Sequence, residues 1–224
     1  MSSESRINQE FISEVTTEQE RTGFIESYIE RIAENPVELG RGRTAVVRTV
    51  QEPESQQSIC IKEITNPESE FYINNVEQEL KFQTVAYQAG VRVPRPFLSA
   101  TTENGRAYLA METIIGHSIE EIVKQNIELP PSFEYDTFCQ KTELLFRKLR
   151  NNGMQHRDVH IGNIMIEWET GEPVLIDFGT AAIPFDEDSN REPTGIPGQF
   201  RVIRQDLASW AECKKILMKH LTKV

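Results

Sequence analysis

The sequence predicts an α+β protein with two lobes, a strand-rich first lobe and a mostly helical second lobe. Runs rich in β-branched residues fall early, at residues 45–50 and 58–62, with a polar turn between them. Long amphipathic patterns with helical spacing dominate the later part, at residues 132–152 and 205–220. At 224 residues the chain is long enough for one large domain or two closely joined lobes.

The first element expected is an amphipathic helix at residues 22–33, which follows a polar and acidic stretch. We interpret its apolar face as packing on the first lobe; a helix that binds a partner is the alternative. The sequence therefore predicts an acidic N-terminal extension with this helix at residues 1–33, a first lobe at 34–112 and a second lobe at 113–224.

The remaining elements follow in chain order. Further strands are expected at 106–111, 164–168 and 173–176, and further helices at 68–89 and 119–125. Gly90 and Gly153 are expected to end the helices before them, because glycine readily adopts the left-handed conformation of a helix end. In the 132–152 helix, the apolar side is expected to carry Phe138, Leu144, Leu145 and Leu149. The proline, glycine and acidic content of residues 184–199 predicts an irregular loop.

Composition narrows the class of protein. The chain carries 24 basic and 35 acidic residues, a net charge of −11, which argues against a general binder of nucleic acid or anionic membranes. Its three cysteines are widely spaced and include no C-x-x-C pair, so we expect neither a disulfide framework nor a zinc site. No apolar run is long enough to cross a membrane. These features predict a soluble cytoplasmic protein.

A glycine-rich turn lies between two expected strands. Residues 40–47 read Gly-Arg-Gly-Arg-Thr-Ala-Val-Val. Because Gly40 and Gly42 lack side chains, the backbone there can approach phosphate groups closely and donate N–H groups to them. On its own this motif is typical of a plain hairpin, so its meaning depends on the other motifs.

Lys62 ends the strand at 58–62, where its ammonium is expected to be directed at phosphate. Such a lysine needs an acidic residue to hold it. Glu79 and Glu77, both on the following helix, are the two candidates.

Polar residues of the second lobe supply the rest of the expected chemistry. Asp158 and Asn163 lie between the long helix and a strand, and Asp177 follows another apolar strand. A carboxylate can orient an acceptor hydroxyl and take its proton, and carboxylate and amide oxygens are ligands for Mg²⁺. His160 adds an imidazole whose charge at neutral pH depends on its neighbours.

Together these motifs fall in the order of a known signature: glycine loop, strand lysine, His156-Arg157-Asp158 with Asn163, and Asp177-Phe178-Gly179. The chain thus resembles the protein-kinase-like superfamily over about residues 38–217. The resemblance implies a bilobal kinase fold that uses ATP and Mg²⁺. It implies that catalysis involves Lys62, Asp158 and His160, that Mg²⁺ is held by Asn163 and Asp177, and that ATP is held by Gly40, Gly42, Val47, Lys62, Glu79, Glu112 and Ile114.

Within that resemblance, Val47 would cover the adenine and Glu79 is favoured over Glu77 as the partner of Lys62. Residues 111–114 match the segment that binds the adenine edge, with Met111 as the gatekeeper. Asp206 resembles the helix aspartate that braces the catalytic loop.

The chain departs from the typical protein-kinase pattern in several places, and there it resembles smaller kinases. After Asp206 only one helix is expected, which gives a shortened second lobe, and no Ala-Pro-Glu motif follows the Asp-Phe-Gly. His160 stands where typical protein kinases have lysine. These traits are similar to RIO-type and tRNA-modification-associated protein kinases and to aminoglycoside and lipopolysaccharide-sugar phosphotransferases, whereas Arg157 favours the protein kinases.

Three functions are compatible with the sequence. The leading one is a minimal serine/threonine protein kinase that acts on a protein hydroxyl; the others are a small-molecule kinase and a pseudokinase or assembly scaffold. The chain has little room for an added helical subdomain that would bind small polar substrates, which favours a protein substrate. Candidate phosphorylation sites in the loop after Asp177 are Thr180, Ser189 and Thr194.

Overall fold

The structure is a computed structural model. It describes residues 17–34, 37–51, 58–69, 73–182 and 206–222. The chain divides into two compact units. The first unit comprises Met1–Lys81 and Arg95–Thr113, and the second comprises Phe82–Pro94 and Ile114–Val224.

A five-stranded antiparallel sheet forms the body of the first unit. Its strands are β1 (Val37–Arg41), β2 (Ala45–Gln51), β3 (Ser58–Ile64), β4 (Pro96–Thr101) and β5 (Ala107–Glu112). Their order in the sheet is β1-β2-β3-β5-β4, so β3 lies at the centre. Because side chains alternate along a strand, Ile59 and Ile61 of β3 lie on one face while Lys62 lies on the other.

Helix α1 (Glu18–Glu34) packs on the Ile59 and Ile61 face of this sheet. Ile25 and Tyr28 are its anchors, with 0% and 3% of their surface exposed. The helix is longer than the predicted 22–33, and the interpretation of its apolar face as packing on the first lobe is confirmed. Ile25 and Tyr28, with the partly buried Phe24 and Ile29, are therefore part of the core of the first unit.

Helix α2 (Val76–Gln88) begins in the first unit and ends in the second. It starts later than the predicted residue 68, because Asn75 and Gln78 form a reciprocal cap there: the Gln78 N–H donates to Asn75 Oδ1 at 2.9 Å, and the Asn75 N–H donates to Gln78 Oε1 at 3.2 Å. At its other end Gly90 has a φ of +72°, as expected of a glycine that follows a helix.

The second unit is mostly helical. Its helices are α3 (Ile119–Gln125), α4 (Tyr135–Asn151) and α5 (Asp206–Leu221), and a small sheet has the order β6 (Gly116–Ser118), β7 (Ile164–Glu167), β8 (Pro173–Leu175). One apolar core joins these elements and includes the fully buried Phe138, Leu149, Ile164, Phe178 and Trp210.

Two details of the second unit differ from what the sequence predicts. Leu144, expected on the apolar side of α4, has 51% of its surface exposed, because it lies on the face opposite Phe138, Leu145 and Leu149. Helix α4 begins at Tyr135 instead of 132, since the Glu134 carboxylate accepts a hydrogen bond from the Thr137 N–H at 2.8 Å and caps the helix.

The described residues contain no helix that is long and apolar enough to cross a membrane. The expected irregular loop at 184–199 lies outside the described residues. The predicted lobe boundaries at 33/34 and 112/113 stay predictions.

Candidate active site

In the first unit, the glycine-rich turn joins β1 to β2. The Gly42 N–H donates to the Ala45 carbonyl at 2.9 Å and closes the turn. A Cβ atom added to Gly40 would meet nothing within 4 Å, and one added to Gly42 would meet only the Ala45 carbonyl oxygen at 3.8 Å. Neither glycine has a positive φ. Neither crowding within the protein nor backbone strain therefore requires glycine here, which fits a loop kept open for a ligand.

Lys62, in the middle of the first unit, forms a buried ion pair. Its Nζ lies 2.7 Å from Glu79 Oε1, and the two side chains keep 8% and 2% of their surface exposed. Glu77, the alternative partner, is exposed to solvent. Strand β3 places Lys62 and the first turn of α2 places Glu79. Of the two glutamates that the sequence offered, Glu79 is the one in contact with Lys62.

An apolar cluster lies beside this ion pair. Val47 is paired with Lys62 in the register of β2 and β3, so their side chains share one face of the sheet. Val47 and Leu80 pack against a buried cluster that comprises Met111, the predicted gatekeeper, with Cys60 and Leu109. The residues predicted to cover the adenine and to guard its pocket thus belong to one cluster of the first unit.

Glu112 follows Met111 and is held by Arg95. The Glu112 N–H donates to the Arg95 carbonyl at 2.8 Å, and the Glu112 carboxylate accepts from the Arg95 N–H at 2.9 Å. The Glu112 carboxylate therefore binds the Arg95 backbone. A contact of Glu112 with the adenine edge would then come from its backbone carbonyl. Ile114, its predicted partner in binding the adenine edge, belongs to the second unit.

In the second unit, Asp206 fixes the start of the predicted catalytic loop. Its two carboxylate oxygens accept from the backbone N–H groups of His156, at 2.8 Å, and of Arg157, at 3.0 Å. Arg157 has a φ of +68°, a conformation that is unfavourable for a residue with a Cβ atom. Asp206 thus supplies hydrogen bonds that hold a strained backbone in place.

Asp158 follows in the same loop and is bound by Asn163. The Asn163 side-chain nitrogen donates to the Asp158 carbonyl at 3.0 Å and to Asp158 Oδ2 at 3.2 Å. The pKa of Asp158 is lowered, chiefly by its interaction with His160, while burial opposes this effect. About half of the side chain is exposed. Asp158 is therefore an ionised, accessible acceptor at neutral pH.

His160 completes this group of side chains. Its Nε2 lies 3.6 Å from Asp158 Oδ2, and its Nδ1 accepts from the Gly162 N–H at 3.0 Å. Asp158 raises the pKa of His160, burial lowers it, and the charges of Glu120 and Asp177 raise it further. A protonated Nδ1 could not accept the hydrogen bond from the Gly162 N–H. The acidic neighbours therefore favour the protonated ring, whereas this hydrogen bond favours the neutral one.

Asp177 lies close enough for its charge to affect the pKa values of both Asp158 and His160. Its side chain is exposed, its φ is +64°, and its Oδ1 accepts from the Gly179 N–H at 3.2 Å. The Ile176 N–H donates to the Asn163 carbonyl at 3.1 Å, which ties the residue before Asp177 to the predicted metal-binding asparagine.

These residues fit a magnesium site that is completed by other oxygens. Since the Asn163 amide nitrogen donates to Asp158, its Oδ1 is the atom that would bind a cation. Among the described residues, no three His, Cys, Asp or Glu side chains are grouped to hold a metal. Mg²⁺ usually keeps waters and phosphate oxygens in its coordination shell, so one carboxylate and one amide suffice for the protein's share.

Three residues near the site were not assigned a role from the sequence. His156 Nε2 lies 2.9 Å from the Ile176 carbonyl, and its ring packs on Phe178 with the centroids 4.9 Å apart. Gly162 and Glu120 lie against His160. The His-Arg-Asp motif could have drawn attention to His156, but nothing in the sequence connects Glu120 with a residue 40 positions later.

Of the candidate phosphorylation sites, only Thr180 is among the described residues. Its hydroxyl donates to the His156 carbonyl at 3.0 Å and is half-buried, so phosphorylation would break an internal hydrogen bond. Ser189 and Thr194 lie outside the described part of the chain.

The chain matches a known protein family. Residues 34–195 match the family described as protein kinase domain. The chain is similar to the serine/threonine-protein kinase STE20 of Yarrowia lipolytica, with 26% identity over 157 residues, which is 68% of this chain and 13% of that protein.

Two further relatives have comparable similarity. The probable serine/threonine-protein kinase zyg-1 of Caenorhabditis briggsae is 27% identical over 151 residues, 66% of this chain and 20% of that protein. Mitogen-activated protein kinase kinase 5 of Leishmania mexicana is 27% identical over 150 residues, 64% of this chain and 26% of that protein. The matched stretch thus covers only a minor part of the length of these curated relatives.

Proposed function

Because the chain belongs to the protein kinase domain family, we propose that it is an ATP- and Mg²⁺-dependent serine/threonine kinase that phosphorylates a protein hydroxyl. The relatives named above are serine/threonine-protein kinases or a kinase kinase by name, which supports a protein acceptor. Similarity to RIO-type kinases or to small-molecule phosphotransferases rests on His160, on the missing Ala-Pro-Glu motif and on the single helix expected after Asp206.

The observation that carries this proposal is the buried Lys62–Glu79 ion pair. Burying two charges costs solvation free energy that their attraction roughly repays, so such a pair contributes little to stability and is better explained by function. A lysine held in this way presents a fixed positive charge to a phosphate group. The open backbone at Gly40 and Gly42 and the apolar cluster of Val47 and Met111 are the other nucleotide contacts that we propose in the first unit.

The second unit contributes the acceptor and metal residues. Asp158 would orient the substrate hydroxyl and take its proton as the new O–P bond forms and the bond from the γ-phosphorus to the leaving ADP oxygen breaks. Asn163 and Asp177 would hold Mg²⁺, and His160 would stabilise charge on the group in transit. Bound ATP would supply the phosphoryl group, and bound Mg²⁺ would neutralise the negative charge of its phosphates. Glu112 and Ile114 would contact the adenine edge through backbone atoms.

A transfer assay tests the proposal. The full chain is incubated with Mg²⁺ and γ-labelled ATP, alone and with dephosphorylated casein. We expect label on casein serine or threonine, and a loss of roughly two decades or more in rate for Asp158→Asn with ATP affinity changed by only a few-fold. Asp136→Asn, an exposed carboxylate in the first turn of α4, is the matched control and should keep the wild-type rate.

Two results would refute the proposal. A wild-type chain that labels no protein would favour the scaffold, and label on a sugar or aminoglycoside panel alone would favour the small-molecule kinase. Near-normal transfer by Asp158→Asn would refute the role of that residue.

We also propose that the protein works in a reducing compartment such as the cytoplasm. Cys60, Cys139 and Cys213 are all buried free thiols, and burial raises the pKa of each of them, which makes them poor nucleophiles.

A further inference from the structure

The position that a Cβ atom of residue 162 would take is already occupied by other side chains. A Cβ atom placed on it would lie 2.8 Å from His160 Cε1, 3.0 Å from His160 Nδ1 and 3.2 Å from Glu120 Oε2. Real Cβ atoms essentially never approach another atom to under 3.0 Å, so the imidazole would have to shift to admit a side chain at 162. The edge of the ring and the Glu120 carboxylate therefore share the space that a side chain at 162 would fill.

Glu120 is also tied to the loop through its backbone. It lies in the first turn of α3, where N–H groups have no partner within the helix. Its N–H donates to the carbonyl of Ile161, between His160 and Gly162, at 3.0 Å. This hydrogen bond fixes the Glu120 backbone relative to the loop, and with it the point from which the Glu120 carboxylate extends. Lys124, one turn further along the helix, holds the same carboxylate from the solvent side at 2.7 Å.

The imidazole is consequently bounded on two sides by acidic groups. Asp158 lies beside Nε2 at 3.6 Å, and Glu120 lies near the Nδ1–Cε1 edge. About half of the His160 side chain is exposed, so its packing in the loop alone leaves room for other rotamers. The Glu120 carboxylate at the open edge takes up that room.

We propose that Glu120 is a positioning residue that holds the His160 imidazole beside Asp158, and that this role, which rests on the kinase activity proposed above, serves phosphoryl transfer. Without the carboxylate, the ring can rotate about its Cα–Cβ bond and leave the Gly162 N–H. The Gly162 amide is therefore a direct reporter of the arrangement, because His160 Nδ1 is its acceptor.

Amide hydrogen exchange in the nucleotide-free, ¹⁵N-labelled full chain tests the positioning without any need for activity. We expect Glu120→Ala to speed exchange at Gly162 on the order of fivefold or more, as for the loss of one hydrogen bond, and to approach the rate of His160→Ala, which removes the acceptor outright. Glu120→Gln keeps the shape and should retain most of the protection. Gln125→Ala, at an exposed position on the same helix, is the matched control and should leave exchange at Gly162 unchanged.

Steady-state transfer from labelled ATP to casein tests the catalytic consequence. We expect Glu120→Ala to lower kcat on the order of tenfold while KM for ATP stays within about twofold, because the positioned group acts on the reaction and not on nucleotide binding. Gly162→Ala should reproduce this loss, since its Cβ displaces the ring while Glu120 and His160 are both present. Thermal melting of each variant identifies any that fails to fold.

The outcomes separate the two proposals. Exchange at Gly162 within about twofold of wild type in Glu120→Ala, with His160→Ala fast, would overturn the positioning role. Slow exchange in His160→Ala would overturn it as well, because Nδ1 would then not be the acceptor. Faster exchange at Gly162 in Glu120→Ala, with an unchanged kcat, would refute a contribution of Glu120 to phosphoryl transfer. A wild-type chain that labels nothing, with the exchange pattern as expected, would refute the kinase activity alone.

Discussion

The Lys62 ammonium lies 2.7 Å from the Glu79 carboxylate, and the pair joins the central strand of the first unit to the first turn of α2. Neither side chain has appreciable contact with solvent. The free energy of such a pair depends on both members being present, because each one alone is a buried charge. The ion pair can therefore be tested by free energies of unfolding, without any measurement of catalysis.

Replacement of Lys62 by Met should lower the free energy of unfolding by about 3–5 kcal/mol, because it removes the ammonium from a buried carboxylate. The double variant Lys62→Met/Glu79→Leu should recover more than half of that loss, since neither charge is then buried. Urea unfolding at pH 7 measures both values. If the two single losses simply add in the double variant, the residues do not act as a pair.

Asp177→Asn should remove most of the Mg²⁺-dependent part of the rise in melting temperature that ATP produces. A ligand that binds only the native state stabilises it by mass action, and the substitution deletes the charge that we assign to the metal. Asparagine tolerates the φ of +64° at this position, so the backbone should be preserved. Melting curves with ATP and Mg²⁺, and with ATP and EDTA, provide the comparison. Equal Mg²⁺-dependent shifts in variant and wild type would refute the metal assignment.

Arg157→Gly should leave the free energy of unfolding unchanged or raise it by up to about 1 kcal/mol, because glycine adopts a positive φ without the cost of a Cβ atom. Burial also lowers the pKa of Arg157, which shows that its charge is partly desolvated. Asn126→Gly is the control, since asparagine already tolerates its φ of +53°. A loss of more than about 1 kcal/mol would mean that the guanidinium stabilises the fold. With stability preserved, the transfer rate of this variant reports the contribution of the arginine to activity.

Stability in acid should depend on Glu167. Burial raises the pKa of this residue, but hydrogen bonds from Thr170, at 2.6 Å, and from Arg92 outweigh burial, so the net shift is below the ordinary 4.5. The depressed pKa means that Glu167 stabilises the native state above about pH 4.5 and loses this contribution as the pH falls through its native value.

Unfolding free energies measured from pH 7 to pH 3 check this expectation. Glu167→Gln should be less stable than wild type at neutral pH, by about 1 kcal/mol, and its curve should fall less steeply in acid. Glu169→Gln, at an exposed neighbouring position, should follow the wild-type curve. Parallel curves for wild type and Glu167→Gln would contradict the assignment.

The sequence predicted the elements whose residue pattern is regular, including the short strands β7 and β8, but not strands β4 and β6. Helix α4 and strand β3 were recognised because many residues repeat one pattern. Strand β4 begins at Pro96, and β6 has only three residues and begins with a glycine, so neither gives a strand signal of its own. These strands form because neighbouring strands pair with them, which is a property of the tertiary fold.

The candidate site shows the same limit. Motif order was enough to predict Lys62, Asp158, Asn163 and Asp177 as a set. The resemblance favoured Glu79 over Glu77, and the rotation of α2 in the structure buries Glu79 and leaves Glu77 exposed. The contact of Glu120 with the loop joins residues 40 positions apart, and no local pattern encodes it.

The packing of α1 on the sheet has a practical consequence for recombinant expression. The family match begins at residue 34, whereas α1 spans Glu18–Glu34 and contributes Ile25 and Tyr28 to the core of the first unit. A fragment trimmed to the match would expose a contiguous apolar sheet face, the kind of surface through which proteins aggregate. Soluble yield should therefore depend on retaining the segment that precedes the recognised domain.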